Sequence, residues 1–177
     1  MNQKINLEIL KNAIRNVPDF PKKGIQFKDI TTLLKEPDLL AYVSDRFFEH
    51  FRDKGITKVV AVESRGFILG GDIARRLGAG FIPVRKPGKL PAGVFRQTYK
   101  LEYGEDAVEI HRDAMNRDDI VLLHDDLLAT GGTSLAVIEL IKNFDVRKIF
   151  PGYIIELDFL EGRKKIANYD IFTLIRF

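Results

Sequence analysis

Apolar residues near the start of the chain recur at three- and four-residue spacing, first from roughly Leu7 to Val17 and again from Asp38 to Lys54, where Leu40, Val43, Phe47 and Phe51 share one helical face. Two amphipathic helices are predicted there. Between them, PDFPKKGIQFKDITTLL is punctuated by prolines and predicts irregular chain. From Lys58 onward the pattern changes to short apolar runs that alternate with helical ones. Lys58 to Val62 predicts a strand, ESRG a loop, and Phe67, Ile73, Ala74 and Leu77 the buried stripe of a helix. Phe81 to Val84 and Ile120 to Leu123 predict two more buried strands, and Leu135, Ile138 and Ile141 mark a helix after the second. Ile149 to Leu157 and Ile171 to Ile175 predict the last two strands, with a short helical segment near Leu160 to Ala167 between them. Strands that are apolar throughout and alternate with helices predict an α/β fold, a central and mostly parallel sheet flanked by helices.

Residues 87–114 interrupt that rhythm. Two alternating stretches, Phe95 to Tyr99 and Ala107 to His111, flank a turn region at Gly104 and predict a β-hairpin flap, an insertion of the kind that serves as a mobile lid. At 177 residues, 45% of them apolar, the chain is long enough for one compact domain that needs no covalent staple. Cysteine is absent, which excludes disulfides, thiol catalysis and cysteine-ligated zinc. No apolar run approaches the roughly 20 residues that span a bilayer, and the start lacks the apolar segment of a signal peptide, so a cytoplasmic protein without membrane partners is expected. The net charge of +3, from 28 basic and 25 acidic residues, is too even to indicate nucleic-acid binding. Its distribution is more informative. Arg85, Lys86, Lys89, Arg96 and Lys100 gather in PVRKPGKLPAGVFRQTYK, with Arg65 upstream, which suits either a local anionic ligand or a solvated loop.

The densest chemistry lies in VLLHDDLLATGGT, residues 121–133. In an open parallel sheet, ligands bind beyond the carboxyl ends of strands, and here Asp125 and Asp126 fall where a strand is predicted to end. Ala129, Thr130, Gly131, Gly132 and Thr133 then form a tight turn into a helix beginning near Thr133, whose free N–H groups and dipole favour a phosphate. Two carboxylates would repel a phosphate dianion but suit a diol as hydrogen-bond acceptors. A ribose 5-phosphate satisfies both halves of the motif. The blander reading, Asp125 and Thr133 as helix caps, accounts for one acid but not for an adjacent pair. Gly78-Ala79-Gly80 precedes a strand instead of following one, and Gly88-Lys89 has Pro83 where a P-loop needs glycine, so neither common nucleotide fingerprint is present.

With these residues in view, VLLHDDLLATGGTS resembles the phosphoribosyl-pyrophosphate motif of the type I phosphoribosyltransferases. The similarity continues through VPDFPKKGIQFKDIT, AVESRGFILG, VRKPGKLP and KLEYGEDAVEIHRDA in family order, over essentially the whole chain. The resemblance implies the type I phosphoribosyltransferase fold with an N-terminal hood at about residues 1–36. It implies transfer of the 5-phosphoribosyl group from phosphoribosyl pyrophosphate to a purine, with adenine the expected base and AMP and pyrophosphate the products. Mg²⁺ would be held mainly by substrate and water, with no direct protein ligand, and the protein would be a homodimer.

Carried onto this sequence, the resemblance assigns ribose 5-phosphate to Asp125, Asp126 and the turn Ala129 to Thr133. It assigns pyrophosphate to Glu63, Ser64 and Arg65 and to the basic residues Arg85, Lys86 and Lys89, some of these last three across the dimer, and it places a non-proline cis peptide at Glu63–Ser64. Glu102 would exchange a proton near purine N7 and Tyr103 would close the lid, although a hairpin glutamate is also often simply exposed. Gln26, Phe27, Lys28 and Leu127 would contact the base, with Phe27 stacking on it. The catalytic set is then Glu102, Asp125, Asp126 and Arg65. Three positions depart from the family pattern: Gln26 and His124 stand where apolar residues are usual, and Lys28 replaces an arginine. His124 is expected in the core. A lysine that reached the base would suit a 6-oxopurine, whose 6-oxo group accepts, and lysine is not a neutral replacement where arginine's planar fork is needed. A non-catalytic regulator on the same fold is the alternative from another class, but the chain carries no additional DNA-binding module.

Overall fold

Helix α1, Leu7–Ala13, begins at Asn6, whose side chain accepts from the Ile9 N–H at 3.0 Å. It stops four residues short of Val17. Arg15–Pro18 instead forms strand β1, antiparallel to β2, Gln26–Asp29, in the register Arg15↔Asp29 to Pro18↔Gln26. The apolar spacing of Ile14 and Val17 suited a helix, but the residue before a proline is driven to extended geometry, and Val17 precedes Pro18. The segment predicted to be irregular therefore holds one arm of a small hairpin. Asp29 clasps it by accepting from Arg15 Nε at 3.1 Å, and Thr32 Oγ1 donates to the Ala13 carbonyl at 2.6 Å. Helix α2, Thr31–Leu34, and helix α3, Pro37–Phe51, follow, the latter with proline at its first position, where no N–H is needed. The structure, a computed structural model, describes residues 5–20, 22–100 and 105–177, and the chain divides into two compact units, residues 1–46 and 47–177.

The second unit contains β3 (Lys58–Val62), α4 (Gly66–Leu77), β4 (Gly80–Val84), β5 (Val94–Lys100), β6 (Glu105–His111), β7 (Ile120–Leu128), α5 (Gly132–Lys142), β8 (Lys148–Glu156) and β9 (Phe172–Arg176). The short helical segment expected near Leu160 is a pair of 3₁₀ turns, Asp158–Leu160 and Gly162–Ile166. Five strands form one parallel sheet in the order β4-β3-β7-β8-β9. Strands β5 and β6 form the expected antiparallel hairpin, paired from Val94↔His111 to Lys100↔Glu105 and joined to the body by the Arg85↔Glu109 bridge.

Both faces of the sheet are covered, which is why its central strands read as continuous apolar runs. On one face Phe47 meets His124 and Phe172 edge-on, with centroids 5.0 and 5.1 Å away. The other cluster joins Val60, Leu123 and Tyr153 to Val137 and Ile141 of α5 and to Val108 and Ile110 of β6, so the hairpin is rooted in the core. His124 is fully buried, as expected; its Nδ1 lies 3.1 Å from the Gly152 carbonyl oxygen, and burial pulls its pKa down to about 4.

One strand corrects the sequence reading. β7 continues to Leu128, so Asp125 and Asp126 lie within it and not at its end. Its pairing with β3 stops at Ala61↔His124, whereas its pairing with β8 runs on through Asp125↔Tyr153 to Leu128↔Glu156. Ladder pairing is made by the backbone, so a long apolar β8 holds two acids in extended geometry despite their poor strand propensity.

Candidate active site

The sheet order reverses between β3 and β7: β3 leads outward to β4 and β7 outward to β8, so the loops that leave them diverge and open a crevice at the carboxyl ends. Asp125 and Asp126 stand in it. From the β3 side, α4 begins directly against the acids: a Cβ placed on Gly66 would lie 3.1 Å from the His124 carbonyl oxygen and 3.2 Å from Asp125 Oδ1, so this helix start needs glycine to approach so closely. Arg65, just before it, places Nε 3.0 Å from Asp126 Oδ2. Asp126 is buried and Asp125 half-buried. Burial raises the pKa of both carboxyls; the neighbouring charge of Asp126 raises Asp125 further, while Arg65 opposes the rise. The site is thus an acid pair that is costly to charge without a cation or a set of hydroxyl donors beside it.

Past β7 the chain turns through Ala129 and Thr130 to Gly131, at φ 75°, and α5 starts at Gly132. No side chain caps this helix, which overturns the alternative in which Asp125 and Thr133 are caps. The first-turn N–H groups of an uncapped helix are available to an anion. Thr133 Oγ1 donates to the Tyr99 hydroxyl at 3.3 Å. A feature that sequence reasoning missed sits behind the turn: a Cβ on Gly131 would collide with the Gly162 carbonyl, and one on Gly162 would collide with the Ala129 carbonyl and lie 2.7 Å from Gly131 N. Two backbones are in direct contact there. The only signal in the sequence is a glycine opening a short helical segment.

The basic residues are held by carboxylates. Glu63 Oε2 accepts from Arg85 Nε at 3.1 Å and from the Lys86 N–H at 2.9 Å, and Oε1 accepts from the Lys89 ammonium. Burial pushes the Glu63 pKa up, but these donors outweigh it and hold it at about 2. An ionised carboxylate offers no donor, so the Glu63 side chain organises the cations and does not itself suit an anion. The Glu63–Ser64 peptide is cis, as expected, and Ser64 is exposed. The Lys86 ammonium bonds Asp106 and reaches the Tyr99 hydroxyl at 3.4 Å, which itself donates to Asp106 Oδ2 at 3.1 Å. Leu127, half-buried, lies between the acids and the turn.

Gln26, Phe27 and Lys28 lie on β2 of the first unit, where Asn16 Nδ2 donates to Gln26 Oε1 at 2.7 Å and the Phe20 ring meets Phe27 edge-on at 5.1 Å. Glu102, Tyr103 and the Lys100 side chain lie outside the described residues. Among the described residues no group of three or more His, Asp or Glu gathers to hold a metal ion.

A family model for the phosphoribosyl transferase domain matches residues 29–174, which include the whole parallel sheet except the last residues of β9 and both loops of the crevice. The chain is 57% identical over 157 residues to adenine phosphoribosyltransferase of Phocaeicola vulgatus, spanning 89% of this chain and 90% of that one. The chain belongs to the adenine phosphoribosyltransferase family. Solved members of that family superimpose closely. The adenine phosphoribosyltransferase of Rhodothermus marinus matches with a TM-score of 0.91 at 50% identity, covering 97% of this chain and 98% of that one. The enzyme of Giardia lamblia, solved with 9-deazaadenine, matches with a TM-score of 0.94 at 42% identity, covering 98% and 99%. The fold is therefore the type I phosphoribosyltransferase fold, and membership makes the protein a transferase.

Proposed function

We propose that this protein transfers the 5-phosphoribosyl group of phosphoribosyl pyrophosphate to adenine, giving AMP and pyrophosphate in purine salvage. The observation that carries the reading is the Asp125–Asp126 pair opening into the uncapped Ala129–Thr133 turn, in a chain similar over nearly its full length to adenine phosphoribosyltransferases. The turn takes the 5-phosphate on backbone N–H groups, and the ribose hydroxyls donate to the two carboxylates. As the bond from C1 to pyrophosphate breaks and the bond to N9 forms, positive charge develops on the sugar beside those carboxylates, and negative charge on the leaving oxygens. Carboxylates fixed in advance in a half-buried crevice stabilise the first without reorganising. Arg65, Arg85, Lys86 and Lys89 receive the second, Arg65 from its place beside Asp126 and the other three by exchanging Glu63 and Asp106 for pyrophosphate oxygens.

The remaining roles rest on family resemblance: Ser64 for pyrophosphate, Glu102 for proton exchange near purine N7, Tyr103 for the lid, and Gln26, Phe27, Lys28 and Leu127 for the base. An acid pair with one guanidinium in it suits Mg²⁺ carried largely by substrate and water, with Asp125 and Asp126 accepting from that hydration shell. Bound there, the ion would neutralise charge on the departing pyrophosphate. A cytoplasmic homodimer completes the reading, and sedimentation velocity on the purified protein tests the dimer.

The decisive experiment incubates the protein with Mg²⁺, phosphoribosyl pyrophosphate and one of adenine, hypoxanthine, guanine or xanthine, with nucleotide followed by chromatography. AMP from adenine alone is expected. Nucleotide from a 6-oxopurine would reassign the base and make Lys28 the residue to mutate. No product from any base would sink the reading.

A further inference from the structure

Behind the phosphate turn lies an ion pair that none of the roles above uses. Glu156 is the last residue of β8, 3% exposed, and is in register with Leu128, the last residue of β7, from which the turn departs. Its two oxygens accept a fork from Arg163: Nε to Oε1 at 2.9 Å and Nη2 to Oε2 at 2.6 Å. The guanidinium also donates to Thr173 Oγ1 at 3.1 Å and to the Ile171 carbonyl at 3.4 Å, so it is tied to the β9 side of the sheet as well. Arg163 follows Gly162 directly, and Gly162 is the residue whose backbone touches Ala129 and Gly131. The Leu157 N–H donates to the Leu128 carbonyl at 3.0 Å and closes the frame.

We infer that Arg163 is a positioning residue for the phosphate turn, acting through Gly162: its bidentate hold on Glu156 presses one backbone against the other and sets the turn's N–H groups before ligand arrives. The route is short and closed, running from Leu128 through the turn to Gly162, Arg163, Glu156 and back to Leu128. A bidentate fork fixes direction as well as distance, which a single point charge does not. Without it the 3₁₀ turn can withdraw, and phosphate binding then has to order the loop. That cost falls on ligands carrying a 5-phosphate and not on the purine. The inference rests on the proposed ribose 5-phosphate site.

The test compares wild type with Arg163→Met, Arg163→Lys and Gly162→Ala. Calorimetry measures ribose 5-phosphate affinity, and steady-state kinetics measures KM for each substrate. Arg163→Met is expected to weaken ribose 5-phosphate and raise KM for phosphoribosyl pyrophosphate by about tenfold, with KM for adenine and saturated kcat within about twofold of wild type. Arg163→Lys should recover part of the loss. Unchanged ribose 5-phosphate affinity in folded Arg163→Met, or equal loss for both substrates, overturns the inference. Should Arg163→Met fail to fold, unchanged affinity in both Arg163→Lys and Gly162→Ala overturns it. A wild type that binds ribose 5-phosphate but makes no AMP defeats the proposed function alone, and the variants are then judged on binding. A wild type that does not bind ribose 5-phosphate defeats both.

Discussion

Asp126 and Arg65 share one ion pair in the crevice, yet they have different work to do there. In the proposed reaction the carboxylate opposes positive charge on the sugar, and the guanidinium turns to pyrophosphate. Asp126→Asn keeps the shape and removes the charge. Its kcat is expected to fall by about 10² to 10³, the scale of one electrostatic contact in a transition state, with an unchanged far-ultraviolet circular dichroism spectrum. A variant within a few-fold of wild type would remove Asp126 from the catalytic set. Asp125 faces the same crevice, and because burial raises both pKa values, protonation of the pair and the attendant loss of kcat/KM should begin above the ordinary carboxylate range as pH is lowered.

In the proposed site, two elements offer the substrate parts set by other elements. Gly131 combines a left-handed backbone with contact to the Gly162 carbonyl, so Gly131→Ala carries both backbone strain and a collision. Denaturant unfolding should show a loss above about 1 kcal/mol, together with a raised KM for phosphoribosyl pyrophosphate. The β5–β6 hairpin acts differently. Asp106 holds the Lys86 ammonium that the proposed mechanism gives to pyrophosphate, so the carboxylate competes with product and substrate. Asp106→Asn should therefore tighten pyrophosphate inhibition. Both partners are partly exposed, at 38% and 28%, and a pair of this kind is worth at most about 1 kcal/mol, which limits the gain to about fivefold and makes it shrink with added salt. Weaker inhibition in Asp106→Asn would show instead that the carboxylate places Lys86 productively.

At the scale of the molecule, the buried His124 is a core group that responds to mild acid. His124 has a folded pKa of about 4 against an ordinary value of 6.5, because burial among Phe47 and its neighbours disfavours the charged ring. A depressed histidine pKa means that the unfolded chain takes up the proton first. Its contribution to stability is complete above 6.5 and is lost as pH falls toward 4. Across that window the loss is roughly 3 kcal/mol, at 1.36 kcal/mol per pH unit. Urea unfolding of wild type and His124→Leu at about pH 7.5 and about pH 4.5 tests this: the two should lose stability by different amounts, with the larger loss in wild type. Equal losses would assign the acid sensitivity elsewhere.

From Lys58 to Ile175 the sequence by itself determined the order of strands and helices, because strands buried on both faces must be apolar along their length, and that leaves a trace which only the 87–114 insertion interrupts. It also set the acid pair close before the glycine turn into α5, since those groups are near neighbours in the chain. The hairpin of Arg15–Pro18 and Gln26–Asp29 escaped it, because four-residue strands with few buried positions leave no period to read. Only the tertiary structure decided how far β7 extends, that Glu63 gathers Arg85, Lys86 and Lys89, and that Gly162 and Arg163 stand behind the turn. Each of these is a contact between distant segments, made by backbone ladders or by charged groups whose partners are chosen by proximity in space. Charge and glycine content along the chain do not encode which of many distant partners the folded sheet will bring within reach.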